Sequence, residues 1–176
     1  MKATDLLETQ HRQVKALFRR LEQPASDQQS ALEELANSLA AHMTIEHDIF
    51  YPAIRRVAEQ LVDESYEEHA LAEVALKRLL TTAPEEAGFQ ARLKALAAVI
   101  ERHVQEEEGE LFPRVEAALD QEMFEQLGRS MQARFDEVFA SGFETALPKG
   151  WATTSADIAK EAVDGKGSKR VSRPAA

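Results

Sequence analysis

His42-Met43-Thr44-Ile45-Glu46-His47-Asp48-Ile49-Phe50-Tyr51-Pro52 decides the reading of this chain, because its skeleton returns as His103-Val104-Gln105-Glu106-Glu107-Glu108-Gly109-Glu110-Leu111-Phe112-Pro113. Both copies read His, three residues, Glu, and then an aromatic followed by Pro. Four positions along a helix amount to about 400° of turn and about 6 Å of rise, so His and Glu in each copy share one face, one turn apart. This is a metal-ligand spacing. A lone His precedes each copy: His11 lies 31 residues before His42, and His69 lies 34 residues before His103. The chain therefore reads as two versions of one helical hairpin, each bringing two His and one Glu.

The flanking sequence supplies the helices. Over residues 4–21, Leu7, Val14, Phe18 and Leu21 follow a three-and-four spacing once His11 joins the stripe, with Thr4 or Asp5 as the cap. Residues 23–27 form a turn in which Ser26 or Asp27 caps a second helix, whose inner face carries Leu32, Leu35, Leu39, His42, Glu46 and Phe50. Pro52 is expected to kink or end it. A third stripe over residues 61–80 contains Val62, Tyr66, His69, Glu73, Leu76 and Leu80; a fourth, over 85–110, contains Phe89, Leu93, Leu96, Ile100, His103 and Glu107. Four helices with short connections predict an all-α, antiparallel up-down bundle occupying residues 1–120. Residues 121–145 form an additional amphipathic helix through Phe124, Leu127, Met131 and Phe135, packed across the bundle or used as an oligomer contact. Residues 146–176 read as a basic, flexible tail, with Trp151 as an anchor.

Composition narrows the chemistry. The chain has 176 residues, 44% apolar and 30% charged, as in a globular helical protein. It has no Cys, so disulfides, thiolate sites and iron–sulfur clusters are excluded, and any metal is held by His and carboxylates. No signal-like or bilayer-spanning apolar run is present, and a cytoplasmic location is expected. Net charge is −10; residues 148–176 carry six Lys or Arg against three Asp or Glu, leaving about −13 on the rest. Such an acidic body does not suit nucleic-acid binding.

A single His on an apolar face is commonly a hydrogen-bonded core residue. Here His11, His42, His69 and His103 each fall on the inner stripe of a different helix, and Glu46 and Glu107 join them. A buried carboxylate without counter-charge costs several kcal/mol. Pairing each Glu with a protonated His would repeat a costly construction without gain, whereas a metal cation removes the penalty. Four imidazoles and two carboxylates exceed the needs of one tetrahedral zinc and suit two ions, with iron, manganese or zinc all compatible.

Ferritin-like di-iron bundles use Glu-x-x-His on two helices, and this sequence has only one such pair, Glu8 with His11. The order His11, His42-x-x-x-Glu46, His69, His103-x-x-x-Glu107, with Phe50-Tyr51-Pro52 and Leu111-Phe112-Pro113 following, instead resembles the hemerythrin-like, or HHE cation-binding, family over roughly residues 1–120. The resemblance implies a bundle around a non-haem, oxo- or hydroxo-bridged di-iron centre, with the four His as terminal ligands, the two Glu as bridges, and diatomic or peroxide ligands. Oxygen-carrying members have a fifth His where this chain has Glu73, and an Asp at the position of Glu108. Glu107 is assigned as the bridge because it matches Glu46, with Glu108 as the fallback. Glu73 is a ligand, a partner of His69, or a surface residue. Glu68 and Glu106 are expected to point outward, His47 to lie beside the site or on the surface, and Tyr66 to be a core aromatic or a donor to a bound ligand.

The expected function is binding of, or reaction with, O2, H2O2 or NO, with peroxide breakdown or oxidation as the enzymatic form. The alternatives are a metal- or gas-responsive module acting through residues 121–176, with a protein partner or a second copy, and an iron-repair or iron-delivery factor.

Overall fold

A computed structural model describes residues 1–23 and 26–146. It is helical, without strands among those residues: α1 (Ala3–Leu21), α2 (Gln28–Ile45), α3 (Tyr51–Ile54), α4 (Glu59–Leu80), α5 (Phe89–Glu106), α6 (Phe112–Ala118), α7 (Gln121–Ser141) and α8 (Phe143–Ala146). The bundle is built from α1, α2, α4 and α5, and α7 packs across α1 and α2. Trp151 and the basic tail lie outside the described residues.

The inner stripes read for α1, α2 and α5 are buried faces; on α4, Val62, His69, Glu73 and Leu76 are buried while Tyr66 and Leu80 are half-buried. Leu7, Val14, Phe18 and Leu21 of α1, Leu32, Leu35 and Leu39 of α2, and Phe89, Leu93, Leu96 and Ile100 of α5 all lie in the core. Each such side chain contributes about 1.5–3 kcal/mol by leaving water. The apolar interior forms two clusters. One holds Phe18, Leu35, Leu76 and Leu96; the other holds Leu7, Phe50, Tyr51, Phe112 and Phe124. Between them lies the layer containing the four His and two Glu.

The helix starts differ in detail from the expected caps. Asp5 reaches back from the first turn of α1 to accept the Lys2 backbone N–H at 3.0 Å. Asp27 precedes α2 without capping it, because its carboxylate pairs with Arg20. Gly88, at φ +100°, provides the left-handed residue from which α5 begins at Phe89, later than the sequence suggested. Asp120 caps α7, accepting the Met123 N–H at 2.8 Å.

Pro52 neither ends nor breaks its helix. The chain passes through a π-helical turn, Glu46–Phe50, directly into α3, and the second copy does the same through Glu107–Leu111 into α6. Proline has no N–H, and its ring collides with the carbonyl four residues earlier. Widening the preceding turn relieves this: the Tyr51 N–H donates to the Glu46 carbonyl, and the Phe112 N–H to that of Glu107. Each wide turn starts on the Glu of the repeated motif.

Candidate metal centre

The four helices bring the six residues into one buried layer, and none of the six is more than 6% exposed. Candidate ligand atoms of His11, His42, Glu46 and Glu107 lie within 4.8 Å of one another, and so do those of Glu46, His69 and His103. Glu46 belongs to both groups. Its Oε2 is 3.2 Å from His42 Nε2 and 3.4 Å from His69 Nε2. Glu107 Oε2 is 3.4 Å from His11 Nε2 and 3.5 Å from His103 Nε2. Each carboxylate thus stands between a His of one group and a His of the other.

The imidazoles are also held from behind. His11 Nδ1 lies 2.8 Å from Glu108 Oε1, His42 Nδ1 2.8 Å from Gln10 Oε1, His69 Nδ1 2.8 Å from His47 Nε2, and His103 Nδ1 3.0 Å from Glu68 Oε2. With Nδ1 engaged, each ring turns Nε2 towards the centre, the arrangement a metal-ligating His requires. Among the inward atoms, His11 Nε2, both oxygens of Glu46 and Glu107 Oε2 are buried without a hydrogen-bond partner. Such orphaned groups are costly in a packed core, and their convergence fits cation binding by nitrogen and carboxylate oxygen.

The electrostatics agree with that fit. Burial, and then the neighbouring His11, push His42 well below the usual imidazole range; burial, His103 and His47 do the same to His69. Both are therefore in the neutral form that ligates metal. Burial, reinforced by Glu107, raises the Glu46 carboxyl well above its ordinary value. Burial also acts on Glu107, but His103, His11 and His42 outweigh it and bring that carboxyl down to about 2. His103 moves up, since Glu107 and Glu68 overcome its burial. Burial and Glu107 thus oppose ionisation of Glu46 while His103 favours that of Glu107, and added cationic charge in the layer would favour ionisation of both.

Several neighbours could not be placed from the sequence. Glu68 does not point to solvent; it is buried, holding His103 and pairing with Arg102 at 2.9 Å. Glu106 is the surface charge expected, paired with Arg102 at 2.9 Å. Glu107 faces the layer and Glu108 holds His11 from outside it. Glu73 is buried but belongs to neither group of ligand atoms; burial, opposed by Lys77, raises its carboxyl to about 7. Tyr66 packs against His47 with ring centres 4.6 Å apart and the planes tilted by 59°, and Tyr51 takes the position beside the centre. The fully buried Tyr51 donates its O–H to Glu107 Oε1 at 2.9 Å and lies 3.3 Å from His69 Nε2. Burial and then Glu107 raise its pKa, keeping the proton on oxygen. No periodicity separates Tyr51 from an ordinary core aromatic.

Comparison with known proteins gives one family. The hemerythrin HHE cation binding domain matches residues 2–115. An uncharacterized protein of Mycobacterium tuberculosis is 28% identical over 154 residues, 85% of this chain and 95% of that protein. A DNA nickase of Nostoc sp. is 28% identical over 136 residues, 76% of this chain, but the chain spans only 39% of that relative's length. The crystal structure of a Mycobacterium kansasii protein containing a hemerythrin HHE cation binding domain has a TM-score of 0.74 and 28% identity, covering 85% of this chain and 94% of that one. With its bundle, its converging His and Glu side chains, and this match, the chain belongs to the hemerythrin HHE cation-binding family.

Proposed function

We propose that the chain is a non-haem di-iron protein that binds or reacts with O2, H2O2 or NO. The observation that carries this reading is that each inward carboxylate lies between one His of either ligand group, as a ligand shared by two ions would. His11 and His42 hold one ion, His69 and His103 the other, and Glu46 and Glu107 serve both. Bound iron supplies redox chemistry and a coordination position for a small ligand. Manganese or zinc fits the same donors.

The remaining work falls to the chain. Tyr51 keeps its proton beside Glu107 and orients that carboxylate. Val14, Leu39, Met43, Ile100 and Val104 line a narrow cavity against the four His, with a volume of about 10 Å³. That is room for about one water-sized molecule, which suits a small ligand. A groove of about 400 Å³ between α1 and α5 shares His11, Val14, Ile100 and Val104 with this cavity, so one layer of side chains separates the site from solvent.

Anaerobic reconstitution with Fe(II), followed by metal analysis and optical spectra before and after O2 or H2O2, tests the reading. Two irons per chain and a visible band that reverses on removing O2 support binding. A transient band accompanied by peroxide consumption supports catalysis. Loss of iron binding, or a colourless and unreactive iron form, refutes the proposal. A second reading, a metal-responsive module, is favoured by Arg134 of α7, which pairs at 3.2 Å with Asp48 in the wide turn carrying Glu46. Protease protection of residues 121–176 that changes with metal loading would support it.

A further inference from the structure

The residues that hold the four imidazoles follow the chain's internal repeat. Aligning Glu46 with Glu107 sets His47 opposite Glu108, and aligning His11 with His69 sets Gln10 opposite Glu68. The structure preserves both correspondences. The residue after each inward Glu holds the lone His of the other half: Glu108 holds His11, and His47 holds His69. The residue before each lone His holds the paired His of its own half: Gln10 holds His42, and Glu68 holds His103. Three of these holders present a side-chain oxygen. His47 presents a ring nitrogen.

We propose that His47 is the positioning residue of the His69/His103 half and makes that half the weaker of two unequal ion sites. This rests on the two-ion reading of the centre. With Nε2 of His69 as the ligating atom, its Nδ1 carries the proton and donates to His47 Nε2, 2.8 Å away, which places the proton of a neutral His47 on its own Nδ1. The two rings lie nearly parallel, 14° apart with centres 5.0 Å apart, and Tyr66 packs on His47 at 4.6 Å. The geometry is therefore packed rather than incidental. An anionic acceptor raises the basicity of a ligating imidazole, and a neutral one does so less. In the His11/His42 half, Glu108 is an anion that pairs among the described residues only with His11. Each half has one neutral holder, Gln10 or His47, and one Glu; in the His69/His103 half the charge of that Glu, Glu68, is offset by Arg102, so with a neutral His47 no uncompensated charge stands behind it.

The test is an equilibrium titration of the metal-free full chain with Co(II), read by visible absorption and chelator competition, without any activity measurement. The natural chain is expected to load in two unequal steps. His47→Ala weakens the second step by about 10- to 100-fold and leaves the first. His47→Gln, which returns a neutral acceptor, restores the second step, and His47→Glu tightens it beyond the natural chain. If His47→Ala does not fold, the ordering of the Gln and Glu variants decides the same point. Equal weakening of both steps in His47→Ala, unchanged binding, or a Glu variant no tighter than Gln overturns the proposal. A natural chain that binds no Co(II) overturns the metal centre itself, which is a separate result.

Discussion

Replacing Glu46 with Leu should reverse its effect on stability according to whether metal is present. Glu46 is fully buried between His42 and His69, and its carboxyl is raised well above the ordinary value of 4.5 by burial and by Glu107. A carboxyl that burial holds in the protonated form lowers stability wherever the unfolded chain would ionise it. Leu has no charge to suppress, and exchanging buried ionic groups for apolar ones is often stabilising by about 1–4 kcal/mol. Metal-free Glu46→Leu is therefore expected to be about 1–3 kcal/mol more stable than the natural chain at pH 7, raising Tm by several degrees. With metal at about a hundred times Kd, each site adds about 2.7 kcal/mol to the natural chain, and the variant lacks a shared ligand, so the order inverts. The pH dependence has a definite sign. A raised folded pKa means that stability is lost as pH rises above 4.5, so the advantage of the variant grows from that point and vanishes below it. Urea unfolding with chelator and with Fe(II), from pH 4.5 to 7.5, measures all of this. A metal-free variant less stable than the natural chain at every pH would refute the reasoning.

Three further outcomes follow from single contacts. Val104→Trp fills the layer between the α1–α5 groove and the inner cavity, and should slow ligand entry at least tenfold in stopped-flow without changing metal content. Tyr51→Phe strands Glu107 Oε1, and should cost about 1–3 kcal/mol in the metal-free protein by urea unfolding. Gly128→Ala sets a methyl 2.5 Å from the Met1 carbonyl oxygen and 2.9 Å from Lys2 C, so the start of α1 must move off α7; a loss of about 1–3 kcal/mol, read as a lower Tm with metal binding retained, is expected.

The bundle and the convergence of the six residues were legible because both are periodic. A helix fixes which positions share a face, and the repeat identifies which of those positions carry unusual residues. What escaped the sequence is what one helix presents to another. Glu68 lies next to His69 in the chain and looks like a solvated charge, but it holds His103 on a different helix. Gln10 and Glu108 have the same relation to His42 and His11. Tyr51 was hidden for another reason: it follows a wide turn, and an extra residue in a turn changes the face on which every later side chain emerges.

That wide turn explains why each Glu and its following Pro belong to one motif. If α2 continued in α-helical register through Pro52, the ring would collide with the Asp48 carbonyl, and relief by breaking the helix would uncouple Tyr51 from Glu107. Relief by widening keeps the chain helical and turns Tyr51 inwards, where its O–H reaches the Glu of the other copy. The second copy widens in the same place and carries Phe112 at the position of Tyr51, stacked 6.0 Å from His11 with the rings 8° apart. One construction thus supplies a hydroxyl at the His69/His103 half and a plain aromatic wall at the His11/His42 half. Together with His47 opposite Glu108, this makes the two halves chemically different inside a duplicated frame, and the Tyr51 hydroxyl stands on the His69 side of the layer.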